Sequence, residues 1–353
     1  MNIGIMTAWN QNAGPAICAQ LLARQWVKEE HNVKIFSYIL SDFHGTAIVG
    51  EDEDFVYRCF SARGKGFLDP RPILENRFDI FMANDVGMFP MDELCKIFSL
   101  IKRSAKTINI IHESGPSPNP SFYNFDWDRI VCFDQRYKDF LSKIYSPDLI
   151  TIIPHPLYPW RPGDKIEARK KLNLPLDKYI LFVFGQGLDE KLRILGNLRV
   201  LSKKYNIVLL IVSLEEPGPL KENGLTIEYR KQAPDLYTLY DYLYSADALI
   251  INKGLGEGKV VISTTIYQCL GSGRPILTYD SELVETVPDC VVIKYKTYEE
   301  FEKKLIKCFE DKAWIKKIIQ AQEDYVKRHS PDKIAKEYLS LFREGRENED
   351  RND

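Results

Sequence analysis

Pro154-His155-Pro156-Leu157-Tyr158-Pro159-Trp160-Arg161-Pro162-Gly163 carries four prolines in ten residues. Proline lacks the N–H that helices and strand ladders need, so this run reads as an extended connector. It divides a chain of 353 residues near its middle, and that length suits two cores better than one. Before the run, short apolar segments at 3–6, 33–38, 79–82, 107–111, 129–133 and 149–153 read as buried strands. A helical pattern lies between the first two, at 16–28, with Ala16, Ala19, Leu22, Ala23 and Trp26 on one face. Alternation of this kind calls for a mostly parallel sheet covered by helices. After the run the pattern restarts: strands at 179–184, 206–212, 248–251, 275–278 and 290–293, and helices at 191–204, 236–245 and near 263–271. Three closing helices are expected at 297–309, 314–329 and 332–342, with Ser330-Pro331-Asp332 interrupting them. No short-period repeat is present.

The expected organisation is a first domain over 1–153, the proline-rich linker over 154–164 and a second domain over 165–325. Helices over 326–342 would pack back on the first domain, and a polar tail covers 343–353. The fold class is α/β, with two doubly wound, Rossmann-like domains.

Composition narrows the function. Hydrophobic residues are 44% and charged residues 28%, the mix of a globular protein, and the net charge of −2 gives no case for nucleic acid as a partner. The seven cysteines are odd in number and none stand at C-x-x-C spacing, so neither a disulfide framework nor a zinc site is expected. A reducing, cytoplasmic setting follows. The chain enters a strand-like run directly at its start, with no signal-peptide pattern, and no apolar stretch approaches the roughly 18 residues of a membrane helix. Arg58, Arg63, Lys65, Arg71 and Arg77 flank Phe60 and Phe67 in a stretch read as irregular. Basic residues interleaved with aromatics suit peripheral contact with the inner membrane face, but the acidic run at 51–54 beside them suits a solvated loop.

Open α/β domains hold ligands at the carboxyl ends of their strands, so the loops after strands are the candidates. The loop at 7–14 offers Asn12 and Gly14 just before a helix, where an anion or a sugar hydroxyl could sit, although a plain turn with a helix cap fits equally. His112 follows the strand at 107–111, beside Glu113 and a Gly-Pro turn. It could also be an ordinary surface histidine. Gly185, Gln186 and Gly187 precede Lys191, an arrangement that lets backbone approach phosphate while a lysine neutralises it, or else an ordinary βα loop. Gly254, Glu257 and Gly258 lie in a loop that also holds Lys253 and Lys259, followed by Thr265 and Gln268 on the next helix.

Taken in order, these segments resemble GT-B glycosyltransferases of family 4. Asn12-Ala13-Gly14 is similar to part of the family's N-terminal glycine pair. The strand running from Asp79 to Asp85 resembles its D-v-v-h-a-h-d strand, and Ile110-Ile111-His112-Glu113 its v-x-H-d. Ile152-Ile153-Pro154-His155-Pro156 is similar to v-i-P-N-G. Val183-Phe184-Gly185 with Glu190-Lys191 resembles v-G-R-l-x-x-E-K-G. The most specific block is Tyr267-Gln268-Cys269-Leu270-Gly271-Ser272-Gly273-Arg274-Pro275-Ile276, similar to y-E-y-L-a-s-G-k-P-v.

The resemblance implies two facing domains with a cleft between them. It implies a hexosyltransferase-type enzyme that moves a sugar from a nucleotide-diphospho-sugar to an acceptor hydroxyl with retention, without metal or further cofactor. The second domain would bind the donor and the first the acceptor, which could be a glycan, a lipid-linked sugar or a small molecule. Lys191 and His112 would be the catalytic pair, Lys191 taking the charge of the departing diphosphate and His112 contacting the transferred sugar. Asn12, Gly14, Gly185, Gln186, Gly187, Arg193, Gly254, Glu257, Gly258, Thr265 and Gln268 would bind substrate. The chain departs from the family at three points. Gln186 stands at the diphosphate-binding Arg, Gln268 at the second Glu of the E-x7-E pair, and Val260 at its first Glu, with Glu257 near but out of register. Each loses a charge-assisted contact. Arg193 could supply the missing cation. The competing expectation is a non-catalytic GT-B protein that binds a sugar, a nucleotide or a partner transferase; an epimerase on the same fold lacks a convincing acid/base pair.

Overall fold

The computed structural model describes residues 1–11, 13–42, 50–64, 66–218, 224–254 and 259–344. In chain order the elements are β1 (Asn2–Met6), α1 (Gly14–Lys28), β2 (Asn32–Tyr38), β3 (Val56–Ser61), β4 (Phe67–Leu68), α2 (Arg71–Leu74), β5 (Ile80–Asn84), α3 (Met91–Lys102), β6 (Lys106–Ile110), β7 (Arg129–Cys132), α4 (Gln135–Leu141) and β8 (Ile150–Ile152). There follow α5 (Lys165–Lys171), β9 (Tyr179–Phe184), α6 (Leu188–Lys191), α7 (Leu195–Leu201), β10 (Ile207–Ser213), β11 (Thr226–Lys231), α8 (Leu236–Ser245), β12 (Ala248–Ile251), α9 (Thr264–Leu270), β13 (Ile276–Tyr279), β14 (Ile293–Tyr295), α10 (Tyr298–Glu310), α11 (Lys312–Arg328) and α12 (Pro331–Arg343).

The chain forms two compact units. Unit 1 comprises Met1–Pro156, Lys259–Thr264 and His329–Asp353; unit 2 comprises Leu157–Gly258 and Thr265–Arg328. The first break falls inside the proline-rich run. Residues 259–264 belong to unit 1 although unit 2 brackets them in sequence.

Unit 1 holds an eight-stranded sheet in the order β4-β3-β2-β1-β5-β6-β7-β8. Every pairing is parallel except β3 with β4. Unit 2 holds a six-stranded, all-parallel sheet in the order β11-β10-β9-β12-β13-β14. In each sheet the chain builds outward on one side of its first strand, then returns to build on the other. The reversal lies between β1 and β5 in unit 1 and between β9 and β12 in unit 2. Loops diverge at such a point and leave a crevice beyond the carboxyl ends of the strands.

The long runs of apolar residues form these central strands because both faces are covered: β10 is buried throughout, and β5 likewise. The whole expected face of α1, Ala16, Ala19, Leu22, Ala23 and Trp26, is buried. Trp26 meets α12: its Nε1 donates to the Ala335 carbonyl at 3.2 Å, and its ring packs on Tyr338 and Phe342 at centroid distances of 5.9 and 5.5 Å. The last helix of the chain thus completes the core of unit 1.

Two local expectations need correcting, and one strand carries no sequence signal. The stretch around Phe60 is not irregular but forms β3 and β4. Its arginines are engaged with carboxylates: Arg58 with Asp52 at 2.7 Å, Arg63 with Asp42 at 2.9 Å and Arg71 with Asp69 at 2.7 Å. Phe60 is in the core while Phe67 is exposed, and Lys65 lies outside the described residues. The helix expected at 191–204 is broken into α6, a 3₁₀ turn at Leu192–Ile194, and α7. Finally β11, Thr-Ile-Glu-Tyr-Arg-Lys, is a charged edge strand without an apolar run. No described helix is long and apolar enough to cross a membrane.

Trp26 fills the space between α1 and α12 and spends its N–H on α12. Trp26→Ala is therefore expected to cost about 3–5 kcal/mol in unfolding free energy, and Trp26→Phe clearly less. Urea denaturation followed by far-UV circular dichroism measures both; a Trp26→Ala protein as stable as the parent would refute the docking.

Candidate functional site

In unit 2, β9 ends at Phe184 and the chain turns through Gly185 and Gly187, with φ of 80° and 75°. Only glycine enters that left-handed region freely, so the turn between strand and helix depends on both. It delivers Lys191, which is buried, with its ammonium donating to the Phe184 carbonyl. Burial pushes the Lys191 pKa down to about 8; repulsion from Lys253 adds to this, and Glu215, Cys269 and Glu190 oppose it. A cation with no carboxylate bonded to it at the reversal point of a parallel sheet is poised to meet an anion.

Two acids hold this loop. The N–H groups of Gly187 and Leu188 donate to Glu215 Oε2 at 2.8 and 3.1 Å, and Ser213 Oγ donates to the Gly185 carbonyl at 2.9 Å. The amides expected to face phosphate at Gly187 are thus engaged by Glu215. The Glu190 carboxylate accepts the Gly254 N–H at 3.0 Å, and the Glu190 carbonyl accepts Asn252 Nδ2 at 2.9 Å. Glu215, Glu190 and Asn252 were absent from the sequence-derived set.

Gln186 and Arg193 are exposed, Arg193 between buried Leu192 and Ile194. Thr265 and Gln268 lie half-buried on α9, and Cys269 on the same helix is near enough to influence Lys191. Asn12, Glu257 and Gly258 lie outside the described residues. The conspicuous block from Gly271 to Pro275 has a packing reason. A Cβ on Gly271 would stand 2.5 Å from the Pro159 carbonyl oxygen, and one on Gly273 2.9 Å from Trp160. Arg161 N–H donates to the Gly271 carbonyl at 2.8 Å and Arg274 to the Gly163 carbonyl at 2.8 Å. These glycines admit the proline-rich strap.

In unit 1 the reversal point carries a polar network. Asn84, at the end of β5, donates through Nδ2 to Thr7 Oγ1 at 2.9 Å and to the Pro15 carbonyl at 2.6 Å. Its Oδ1 therefore faces His112 Nε2, 2.8 Å away, which sets the proton on Nε2 and leaves Nδ1 as an acceptor. The His112 ring stands edge-on to Phe133 at 4.7 Å and to His155 at 6.2 Å. Burial, then the nearby His155, holds the His112 pKa well below the ordinary histidine value. Burial likewise lowers that of His155 to about 4. Both rings are neutral at pH 7. Gly14 opens α1, and a Cβ there would touch Thr264 Cγ2 at 3.0 Å.

Next to His112 lies a pair that the sequence reading touched but did not select. Asp85 has a left-handed backbone (φ 73°, ψ 71°) and is buried against Glu113. Burial first, then the Glu113 charge and their mutual hydrogen bond, raise the Asp85 pKa well above the carboxylate range. Glu113 Oε1 accepts the Gly87 N–H at 3.1 Å, and a Cβ on Gly87 would stand 2.6 Å from that oxygen. A strained aspartate costs roughly 1–3 kcal/mol, and such strain clusters at functional sites. Residues 259–264 border this region: Val260 N–H donates to the Ser114 carbonyl at 3.0 Å, and Arg136 to the Val261 carbonyl at 3.2 Å.

Because native Asp85 keeps its proton where the unfolded chain has released it, stability falls as pH rises above about 4. Asp85→Asn cannot ionise, so its stability relative to the parent is expected to climb between pH 4.5 and pH 8 in guanidinium titrations. An offset that stays constant with pH would contradict a protonated Asp85.

No family model matches the sequence. Solved structures do. Sucrose-phosphate synthase from Thermosynechococcus elongatus superposes with a TM-score of 0.66 at 13% identity, over 97% of this chain and 98% of that one. A glycosyltransferase from Rickettsia africae gives 0.66 at 15%, again over 97% and 98%. HepE from Anabaena, in complex with UDP and glucose, gives 0.64 at 13%, over 97% and 99%. The fold is that of the GT-B glycosyltransferases.

Proposed function

We propose that the chain is a glycosyltransferase that takes a sugar from a nucleotide-diphospho-sugar and delivers it to an acceptor hydroxyl with retention of configuration. The observation that carries this is Lys191: a buried ammonium bonded to a carbonyl and not to a carboxylate, beyond β9 at the reversal point of the unit 2 sheet. Its chemistry suits a leaving diphosphate, whose developing charge a preorganised cation stabilises more in the transition state than in the bound donor. Most catalysis by such a site is positioning plus charge, and no metal or further cofactor is invoked. That HepE was solved with UDP and glucose supports a nucleotide-sugar donor.

In this reading unit 2 binds the donor. Gln268 hydrogen-bonds the ribose and Gln186 offers neutral amide hydrogens to the phosphates. On unit 1, His112 is neutral and presents Nδ1, so it accepts a hydrogen bond from a sugar hydroxyl and does not add a second positive charge. The transferred group is a hexose, and the acceptor is a glycan, a lipid-linked sugar or a small molecule. The free cysteines support a cytoplasmic setting.

The first test is thermal stability against a panel of nucleoside diphosphates and nucleotide-sugars. A ligand at a hundred times its Kd stabilises by about 2.7 kcal/mol, a readily visible shift that Lys191→Ala is expected to abolish. A flat response across the panel would favour a non-catalytic GT-B protein, for which neutral, exposed Gln186 is the motivating residue. Protonation supplies a second test. Lys191 is charged below about pH 8, so affinity for the preferred nucleoside diphosphate should fall between pH 7.5 and 9.5, whereas Lys191→Arg should flatten that profile. Calorimetric titration at four pH values reads it, and a flat parent profile would contradict the assignment.

A further inference from the structure

We propose that Lys253 is the second cation of the diphosphate site, in the role that neutral Gln186 cannot fill. This rests on the donor-site reading of unit 2 given above. Lys253 is the second residue after β12, and β12 is the strand next to β9 across the reversal of the sheet. The loops carrying Lys191 and Lys253 therefore leave from adjacent strand ends.

The backbone around Lys253 is fixed from both sides. Asn252 is buried, giving its Nδ2 to the Glu190 carbonyl at 2.9 Å and accepting Tyr295 Oη at 3.1 Å. The Lys253 carbonyl accepts Ser281 Oγ at 3.0 Å, and the Gly254 N–H donates to Glu190 Oε1 at 3.0 Å. Three consecutive residues are thus tied down, two of them to Glu190, the neighbour of Lys191. The two ammonium groups feel each other: Lys253 is the leading charge that lowers the Lys191 pKa.

The two nearest carboxylates attract Lys191 from a distance but spend their hydrogen bonds on backbone amides. The Glu190 carboxylate is turned onto the Gly254 amide, and that of Glu215 onto Gly187 and Leu188. Among the described residues no carboxylate forms an ion pair with Lys191 or Lys253. Two neighbouring lysines that repel each other, neither held in an ion pair among the described residues, favour a ligand with two negative groups. A nucleoside diphosphate fits that pattern; a nucleoside or an uncharged sugar does not. Arg193, exposed on the 3₁₀ turn, has no comparable framework of contacts to aim it.

The test is calorimetric titration at pH 7 with UDP, GDP, ADP, CDP, their nucleosides and inorganic pyrophosphate. Parent, Lys253→Met, Lys253→Arg and Lys191→Ala proteins are compared, each checked for an unchanged melting midpoint. The diphosphate that binds the parent should bind Lys253→Met about tenfold to a hundredfold more weakly, the usual effect of losing one charge-assisted contact. Lys253→Arg should retain most of the affinity, and the matching nucleoside should bind parent and Lys253→Met alike. If Lys191→Ala weakens the diphosphate but Lys253→Met does not, the role of Lys253 is overturned and the donor site stands. If Lys253→Met weakens the nucleoside as much as the diphosphate, the residue is structural and the proposal fails. If neither pyrophosphate nor any diphosphate binds the parent, the donor-site reading falls and this inference with it.

Discussion

Asp247 is the hinge on which unit 2 is set. One of its oxygens accepts from the buried Arg169 at 2.6 Å and from the Ile180 N–H at 2.7 Å; the other meets Lys165 at 2.9 Å. Arg169 in turn donates to the carbonyls of Ser245, Pro175, Leu176 and Lys178. A single ion pair thereby gathers the end of α8 and the entries to β9 and β12. Removing one member of such a pair leaves an unbalanced buried charge, which typically costs about 3–5 kcal/mol. Its importance here is positional. It fixes the register in which Ala248 and Leu249 lie beside Leu181 and Phe182, and that register decides how the far ends of the two strands, with Lys191 and Lys253 beyond them, stand relative to each other.

Unit 1 uses a different device at its own reversal point. There the strand ends are joined by a neutral network, Thr7 to Asn84 to His112, and by Asp85 hydrogen-bonded to Glu113. Unit 2 thus places two lysines at its strand ends, and unit 1 places neutral hydrogen-bonding groups beside a protonated Asp85.

The central strands were legible because parallel strands covered on both faces must be continuously apolar: 179–184 and 248–251 could be read to the residue. The edges were not. β11 mixes Glu228, Arg230 and Lys231 into an exposed strand, and β3 carries Arg58, whose charge Asp52 balances. Lys191 was found because loop, helix and lysine follow one another in sequence. Glu215 and Glu113 were not selected because they act on Gly187 and Gly87 from 28 and 26 residues away. That is the length of one strand–crossover–strand passage, over which a parallel sheet brings strand ends together with no local sequence signal. Lys253 was visible in its glycine-rich loop, but what distinguishes it from Lys259 is the framework around Asn252, which only the fold supplies.

The partition of the chain bears on how it is made. The Ala335 carbonyl that accepts the Trp26 N–H lies 309 residues downstream. At about 5–20 residues per second on the ribosome, roughly 15–60 s separate the emergence of these partners. Through that interval the side of Trp26 that α12 covers stays open, and the segment at 259–264 must also appear before unit 1 is whole. Unit 2 is interrupted only by that segment, so it can close while α12 is still in the exit tunnel. Unit 1 is thus begun before unit 2 and completed after it.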